Sequence, residues 1–400
     1  MMSKKSPQLR FKGFTDDWED RKLKDILREF STKSKIENEY RVLSSTNVGM
    51  EFRDGRVSGT SNLGYKIIKN GDLVLSPQNL WLGNININNI GTGLVSPSYK
   101  TFNFTDIDSS FIKPQLRTPK MLEEYKNSST QGASVVRRNL EIDSFYQIKI
   151  ATPSIKEQEK IGSFFKHLDA LITLQQRKLD LLKEQKKGYL QKMFPKNGAK
   201  VPELRFAGFA DDWELRKLKD VTERVRSNDG RMDLPTLTMS ASSGWLDQKD
   251  RFSGDISGKE KKNYTLLKKG ELSYNHGNSK LAKYGVVFSL TNYEEALVPR
   301  VYHSFKALEN TSADFIEYMF STKLPDRELG KLVSSGARMD GLLNINYDDF
   351  MNIHISIPNY EEQILMSSFF RKLDETIALH QRKLDLLKEQ KKGFLQKMFV

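Results

Sequence analysis

The sequence contains no cysteine among its 400 residues, which excludes disulfide bonds and thiolate metal sites and fits a reducing compartment. Long apolar runs are also lacking, because no stretch reaches the roughly 18 apolar residues that a membrane span needs. The polar, basic residues 1–10 have no apolar segment of the kind found in signal peptides. We therefore expect a cytoplasmic protein with no membrane partner.

The motifs of common catalytic sites are lacking as well. The segment GDISGK at residues 254–259 is too short for a phosphate-binding P-loop and has no final Ser or Thr. The five histidines show no metal-ligand spacing. Acidic pairs at residues 16–17 and 211–212 have basic neighbours, so an ion-paired scaffold explains them better than a nuclease centre. The sequence predicts no catalytic residue, no metal site and no cofactor in this chain.

Basic residues are in clear excess. Lys and Arg number 64 against 51 for Asp and Glu, which gives a net charge of +13, and 38% of the residues are hydrophobic. That apolar content suffices for folded cores. The positive charge favours a polyanionic partner such as nucleic acid, with a merely solvated basic surface as the alternative.

The chain is one module written twice. Residues 7–26 match residues 202–221 at fifteen of twenty positions, and residues 176–194 match residues 381–399 at eighteen of nineteen. Weaker matches between these segments keep the same order, so the duplication spans the full length. Each copy has a near-constant opening segment, a divergent body and a near-constant closing segment. Two different readers on one scaffold would show this pattern.

Each closing segment predicts a long helix of about 37 residues. Apolar positions recur at steps of four and three, which is the coiled-coil period. Such a helix has an unburied stripe, so we expect the two helices to pair antiparallel within the chain. Gln175 and His380 fall at equivalent stripe positions, where a polar residue that fixes the register is the expected role. Before each helix, Ser154 with Glu157 and Asn359 with Glu362 predict capping boxes.

The bodies predict a mixed α/β (α+β) fold. Strand-like runs occur at residues 71–75, 146–150, 270–274 and 353–357, and helices are expected near residues 111–125 and 315–329. The aromatic residues that match between the copies are predicted to be core: Tyr65, Tyr99, Phe102 and Phe145.

Loops that differ between the copies are the candidate DNA readers. The first loop, residues 76–84, and the second loop, residues 274–284, are rich in amide, cationic and aromatic groups, which can bind base edges. Arginines after the Gly-Ala turns could hold phosphates; ordinary polar surface loops are the alternative. The predicted DNA-binding residues are Gln78, Asn79, Trp81, Asn84, Arg137, Arg138, Asn275, His276, Asn278, Lys280, Lys283, Tyr284 and Arg338.

This arrangement closely resembles the specificity subunit of Type I restriction–modification systems. The resemblance rests on the segments LRFKGFTDDWE and LRFAGFADDWE, on the proline and Glu-Gln pairs that lead into the helices, and on the duplicated bodies. It implies two target-recognition domains, at residues 1–152 and 199–357, related by a pseudo-twofold axis and separated by an antiparallel two-helix coiled coil. The two spacer helices would occupy residues 153–198 and 358–400.

The resemblance also implies partners and a division of labour. Each domain would read one half of a bipartite site in double-stranded DNA. Two methyltransferase subunits would use S-adenosylmethionine, and restriction subunits with ATP and Mg would cleave unmodified DNA. The implied spacer and docking residues are Phe165, Leu168, Ile172, Leu179, Leu182, Phe370, Leu373, Ile377, Leu384 and Leu387.

Two rival functions remain open at this point. An unrecognised DNA-modifying enzyme would show activity as a purified chain. A coiled-coil scaffold without a nucleic-acid role would not bind DNA in a salt-sensitive manner.

Overall fold

The computed structural model describes residues 6–53, 61–132, 138–196, 198–252, 258–277, 279–333 and 342–399. The chain divides into two compact units: the first holds residues 1–177 and 381–400, and the second holds residues 178–380. Each unit therefore contains one body, part of the long helix that follows it in sequence, and the other part of the long helix from the other copy. In the part of the chain that is described, no helix has the length and apolarity needed to cross a membrane.

The first unit is built from short strands and helices. Its strands are β1 Glu19–Lys22, β2 Leu27–Phe30, β3 Leu43–Ser45, β4 Met50–Phe52, β5 Lys66–Ile68, β6 Leu73–Leu75, β7 Ile85–Ile87, β8 Gly93–Val95, β9 Lys100–Phe104, β10 Ser129–Gln131, β11 Arg138–Leu140 and β12 Lys149–Thr152. Its helices are α1 Leu23–Ile26, α2 Ser109–Ile112, α3 Pro119–Asn127, α4 Ile142–Gln147 and the beginning of α5 Ile155–Lys192, with a 3-10 turn at Leu80–Leu82.

A four-stranded antiparallel sheet in the order β2-β9-β6-β7 forms the centre of the first body. The two-stranded pairs β1-β12, β3-β4, β5-β8 and β10-β11 surround it. Helices α2, α3 and α4 pack against the sheet through the fully buried aromatic side chains Phe111, Tyr125 and Phe145. The core prediction is confirmed for Tyr65, Phe102 and Phe145, whereas Tyr99 is only partly buried.

The second unit repeats this construction. Its strands are β13 Glu214–Lys217, β14 Thr222–Arg224, β15 Leu237–Ser240, β16 Gly244–Asp247, β17 Thr265–Lys268, β18 Leu272–Asn275, β19 Val286–Ser289, β20 Glu295–Val298, β21 His303–Ala307 and β22 His354–Ile357. Its helices are the end of α5, α6 Leu218–Val221, α7 Gln248–Phe252, α8 Ala313–Ser321, α9 Asp326–Leu332, α10 Tyr347–Met351 and the beginning of α11 Tyr360–Met398, with a 3-10 turn at Gly258–Asn263.

The sheet order of the second body reproduces that of the first. Its central sheet runs β14-β21-β18-β19, and β13-β22, β15-β16 and β17-β20 pair as their counterparts do. The tandem mixed α/β architecture predicted from the repeat is therefore confirmed. The duplication is visible in topology even where few letters match.

The two long helices have 38 and 39 residues, close to the length that their stripes predict. In the first unit, the Asp169 carboxylate lies 2.6 Å from the Lys391 ammonium nitrogen. In the second unit, Lys186 contacts Asp374 at 2.5 Å. Contacts between the beginning of one helix and the end of the other require an antiparallel pair, so that prediction holds within each unit.

Some predicted elements differ from the observed ones. Tyr146 belongs to helix α4 and not to a strand, because α4 continues to Gln147 and the strand of this segment, β12, begins only at Lys149. The strand predicted at residues 353–357 is observed as β22. Each predicted body helix is divided in two: α2 and α3 in the first body, and α8 and α9 in the second. The N-caps Thr118, with Pro119 after it, and Asp108 define where α3 and α2 begin.

Candidate nucleic-acid interface

A buried ion pair connects each opening segment to the beginning of its long helix. Arg10 donates from Nε and Nη2 to the two carboxylate oxygens of Glu157, both at 2.7 Å. Arg205 makes the same bidentate contact with Glu362, at 2.8 and 2.7 Å. Both carboxylates are fully buried or nearly so, and the contact raises the pKa of each arginine. The near-constancy of the opening segments follows from this requirement.

This contact corrects part of the capping-box prediction. The Glu157 and Glu362 carboxylates are held by arginine guanidinium groups, because a buried carboxylate needs a charged partner more than it needs one backbone amide. The cap itself is present in the second copy, where the Asn359 side chain accepts from the Glu362 amide at 2.9 Å.

A glutamine beside each glutamate fixes the body to the helix. Gln158 accepts from the Asp108 amide at 2.9 Å and donates to the Pro153 carbonyl at 2.8 Å. Gln363 makes the corresponding contacts with the Ser312 amide and the Pro358 carbonyl, both at 2.9 Å. The helix beginnings are therefore held against α2 and α8 by the same chemistry in both units.

The closing segments have an equivalent role. In the first unit, Phe399 stacks on Phe165, and the centre of its ring lies 6.4 Å from that of the Trp18 ring. In the second unit, Phe194 contacts the Trp213 ring at 5.9 Å. Each closing phenylalanine thus completes the core of the unit that holds the other copy's body. These aromatic contacts explain why both ends of each copy match so closely while the bodies diverge.

In the first body, the first loop leaves the end of β6 and returns into β7. Gln78 is exposed, whereas Asn79, Trp81 and Asn84 are partly buried. Trp81 packs against the core of the unit, so its indole also has a structural role. Of the four residues predicted here to bind DNA, Gln78 is the exposed one.

The two predicted arginines after the first Gly-Ala turn have different outcomes. The Arg138 amide donates to the Gln78 carbonyl at 3.3 Å, which brings Arg138 beside the first loop. Its guanidinium, however, donates to the Ser129 hydroxyl and carbonyl, at 3.0 and 2.8 Å. Arg137 lies outside the described residues. The Arg138 side chain therefore supports the β10-β11 pair in this structure.

A hairpin tip that the sequence reasoning missed lies beside the first loop. Arg117, half-buried, donates to the Thr46, Val48 and Gly83 carbonyls, all at 3.1 Å, and to the Asn86 side chain. This bridge joins the β3-β4 tip to the first loop, and burial lowers the Arg117 pKa. Val48 at the tip is 77% exposed. The surface around the first loop is therefore made by two loops that are separate in sequence, and only the fold shows that they are neighbours.

In the second body, Lys280 and Lys283 are exposed on the second loop. Asn275 begins the loop, and its side-chain oxygen accepts from the Gly277 amide at 3.0 Å. Gly285 closes the loop at a φ of +85°, where an added Cβ would lie 2.4 Å from the Asn275 carbonyl oxygen. Glycine is required at this close approach. The loop therefore has a fixed base and two exposed cationic side chains, of which Lys283 lies with its ammonium nitrogen 5.2 Å from the centre of the Tyr284 ring.

Three further predictions in the second body need individual outcomes. His276 is buried, and its ring nitrogens lie 2.7 and 3.1 Å from the Leu343 and Val301 carbonyl oxygens, so its assignment as a DNA contact is contradicted. Backbone carbonyls inside the body contact both ring nitrogens instead. Tyr284 is partly buried and packs on the core. Asn278 and Arg338 lie outside the described residues.

A cavity of about 420 Å³ lies between the second loop and a neighbouring hairpin tip. Asn275 and Lys280 line one side, and Ser240, Ser242 and Arg251 line the other. This hairpin, β15-β16, is the counterpart of β3-β4 in the first body. Both bodies therefore place a hairpin tip next to the predicted loop. The serine hydroxyl groups of the second tip and the Arg251 guanidinium on α7 were not predicted, because serine-rich turns carry no specific signal.

The predicted spacer residues lie in the helix stripes. Phe165, Leu168, Leu179, Phe370 and Leu384 are buried. The other five are partly buried: Ile172, Leu182, Leu373, Ile377 and Leu387. Since these side chains face the interior of the units, they fit the spacer role directly; docking of a partner by them stays a prediction.

A second set of helix leucines is exposed. Leu174 and Leu181 on α5 match Leu379 and Leu386 on α11, and all four are between 58% and 63% exposed. Each pair is seven residues apart, so the two leucines lie on one face of their helix. The sequence reasoning missed them because only the main stripe was followed.

Comparison with known proteins identifies the family. The family model described as Type I restriction modification DNA specificity domain matches residues 15–184 and again residues 210–389. The chain belongs to this family. Each match covers one body and most of the long helix that follows it in sequence.

Individual relatives agree with the family. The Type I restriction enzyme MjaVIII specificity subunit of Methanocaldococcus jannaschii is 23% identical over 291 residues, which cover 69% of this chain and 66% of that protein. The chain thus spans just under two thirds of the length of that curated relative. The crystal structure of a Type I restriction–modification S subunit from M. genitalium has the same fold, with a TM-score of 0.59, 12% identity and 99% of each chain covered.

Proposed function

We propose that each body of this specificity subunit reads one half of a bipartite DNA site, and that the chain directs adenine methylation and restriction by partner subunits. One observation carries the proposal: the two bodies have the same sheet order, but their equivalent loops present different side chains. The first loop offers Gln78 and the second offers Lys280 and Lys283. Amide groups pair with adenine and cationic groups with guanine, so the two bodies would read different words.

The fixed parts of the molecule support a fixed reading geometry. In each unit, the Arg–Glu ion pair and the neighbouring glutamine hold the body against the beginning of a long helix. A reader held by buried, bidentate contacts cannot rotate freely relative to its helix. We therefore propose that the gap between the two half-sites has one fixed length.

We further propose that the exposed helix leucines dock the methyltransferase subunits. Leu174 with Leu181 and Leu379 with Leu386 repeat at the same offset of 205 residues. Two equivalent apolar patches fit two copies of one partner, and exposed leucine pairs on a helix commonly mark protein interfaces. In this proposal S-adenosylmethionine, ATP and Mg are bound by partner subunits, and the complex acts in the cytoplasm.

The experiment is single-molecule methylation sequencing of DNA from cells that express this chain with a cognate methyltransferase subunit. We expect one adenine-methylated motif with two specified words and a constant gap. A continuous motif would contradict the two-reader proposal. Methylation by the purified chain alone would support a DNA-modifying enzyme instead. Complex formation without any motif would support the scaffold alternative.

A further inference from the structure

A cavity of about 360 Å³ in the second body is lined by three arginines, Arg224, Arg226 and Arg300. Arg224 lies at the end of β14, and Arg300 precedes β21, so neighbouring strands bring the three together. All three side chains are exposed. Among the residues that the structure describes, none of the three has a carboxylate partner.

The three guanidinium groups are close enough to repel one another. Arg300 and then Arg224 are the main causes that lower the pKa of Arg226, which is fully exposed. Like charges held together without a counter-charge raise the free energy of the folded protein. The nearest carboxylate on the same strand, Glu223, is bound to Lys306 at 3.1 Å. The cluster therefore lacks the neutralisation that surface arginines usually have.

The side chains that line the cavity are also held in position. The Arg224 guanidinium carbon lies 4.0 Å above the centre of the Tyr347 ring, which holds the planar group in one orientation. Asn344 is exposed on the same lining and offers a further donor, whereas the Asn346 side chain is bound to Asp349. Forked guanidinium donors around one cavity match the oxygens of a phosphate group better than any neutral ligand.

The first body has no arginine at the three equivalent positions. By the offsets of the repeat, Glu29 stands in place of Arg224, Ser31 in place of Arg226 and Pro97 in place of Arg300. The strand register agrees, since Glu29 pairs with Phe102 and Arg224 pairs with Phe305. The shared scaffold therefore does not require arginine at these positions.

The cavity adjoins the second loop. His276 lines it, whereas Asn275 and Gly277 line the cavity beside the hairpin tip. A group bound by the arginines would thus lie next to the side chains proposed to read bases. We propose that Arg224, Arg226 and Arg300 form a phosphate-binding pocket of the second body that holds a backbone phosphate beside the second half-site, an inference that rests on the proposed function.

The test compares the full chain in complex with its methyltransferase subunits against the triple variant Arg224→Gln, Arg226→Gln, Arg300→Gln. Binding of a DNA with the determined motif is measured over a series of salt concentrations. Loss of one phosphate contact should lower the slope of log affinity against log salt by about 0.9. The affinity should fall roughly tenfold for the specific DNA and for a shuffled DNA alike, because a phosphate contact carries no base information.

Arg231→Gln is the matched control. Arg231 lies in the same body and is exposed, but Asp229 and Glu295 already neutralise it, at 2.6 and 2.7 Å. It should leave the salt slope unchanged. Circular dichroism of both variants verifies folding, which exposed side chains should not disturb.

A second arm titrates inorganic phosphate into the complex without DNA. If the triple variant loses phosphate binding but keeps its DNA affinity, the pocket binds a free phosphate and not a phosphate of the DNA backbone. If neither titration separates the triple variant from the wild type, the pocket proposal is overturned. It is also overturned if the variant changes the second word and leaves the salt slope intact. A wild-type complex without any bipartite motif would instead overturn the proposed function.

Discussion

The two bodies share their sheets and their attachment to the helices, and they differ in the loops and charges around the reading face. Arg10 with Glu157 and Arg205 with Glu362 make the same buried contact, while Glu29 and Arg224 carry opposite charges at one equivalent strand position. Selection on a common scaffold would keep the first kind of residue and release the second. The difference separates the residues that attach each body to its helix from those that, in the proposed function, contact DNA.

A finer difference lies where each body meets its long helix. In the first unit Gly162 allows the helix to approach α2 so closely that an added Cβ would lie 1.9 Å from the Ser110 hydroxyl oxygen. In the second unit the matched residue, Ser367, forms a buried hydrogen bond of 3.1 Å with Ser312. The same contact is thus made by close packing in one unit and by a polar pair in the other.

The largest expected effect is on the shared ion pair. Arg10→Gln leaves Glu157 buried without its charge partner and should lower the free energy of unfolding of the first unit by about 3–5 kcal/mol. Arg205→Gln should do the same to the second unit. Hydrogen exchange resolved by unit measures both. Lys200→Gln, which removes an exposed pair with Asp212, is the control and should cost at most about 1 kcal/mol. Equal losses in both units from one substitution would refute independent attachment.

The second prediction concerns pH and the second unit alone. Burial, with smaller contributions from His276 and Arg224, lowers the pKa of His303 to about 4 from 6.5, against an opposing hydrogen bond to the Ile345 carbonyl. The unfolded chain therefore binds more protons than the folded chain between these values, and stability should fall as the pH falls through that window. The loss should reach roughly 3 kcal/mol at most.

Urea unfolding at pH 7 and at pH 4.5, with hydrogen exchange to assign the unit, checks this dependence. His303→Gln should reduce the pH dependence of the second unit. The first unit has Lys100 at this position and should not show it. A pH response of the same size in both units would show that His303 is not its source.

The third prediction tests the two ways of closing the body against its helix. Gly162→Ala should destabilise the first unit by about 1–3 kcal/mol, because the added methyl group has no room beside Ser110. Ser367→Ala removes two buried hydrogen bonds, to the Ser312 hydroxyl and to the Gln363 carbonyl, and should cost the second unit about 1–2 kcal/mol. Thermal unfolding of the two variants gives the comparison. A harmless Gly162→Ala would mean that the close approach is not required.

The fourth prediction concerns base reading. Lys280→Ala with Lys283→Ala should relax the second word by about 1–2 kcal/mol of discrimination and leave the first word intact. Gln78→Ala should do the reverse. Methylation sequencing of cells that express each variant with the methyltransferase subunit reports both words at once. Relaxation of the wrong word by either variant would contradict the assignment of loops to halves.

The smallest expected effect on stability belongs to the exposed leucines. Leu174→Gln with Leu181→Gln should change the free energy of unfolding by no more than about 0.5 kcal/mol, because the side chains have little packing to lose. Association with the methyltransferase subunit should nevertheless weaken, as analytical ultracentrifugation can measure. The buried neighbour Leu179→Gln should instead destabilise the helix pair. Unchanged association would exclude this patch as a docking site.

The sequence predicted features that depend on repetition and period. The duplication, the two long helices and their antiparallel pairing follow from matched segments and from the recurrence of residues such as Phe165 and Phe370. Individual readers were harder to predict, because exposure depends on tertiary contacts. His276 has a side chain that could bind a base, but it lies inside the body. The Arg138 guanidinium donates a hydrogen bond to the Ser129 hydroxyl.

The arginine cavity shows the limit most clearly. Arg224 and Arg300 are 76 residues apart in sequence, and only the adjacency of β14 and β21 brings them to one cavity. Nothing in the local sequence around either residue distinguishes it from an ordinary surface arginine. Lys280 and Lys283 could be predicted because they belong to one short loop.

The most direct test of the two-reader account replaces the first body by a copy of the second. Residues 20–150 would be exchanged for residues 215–355, which correspond at an offset of 195 where the body begins and 205 where it ends, and the attachment residues Arg10 and Glu157 would be kept. Methylation sequencing of cells that express this chimera with the methyltransferase subunit should give a motif with the second word in both halves and the gap unchanged. Retention of the original first word, or a change in both words, would contradict the account.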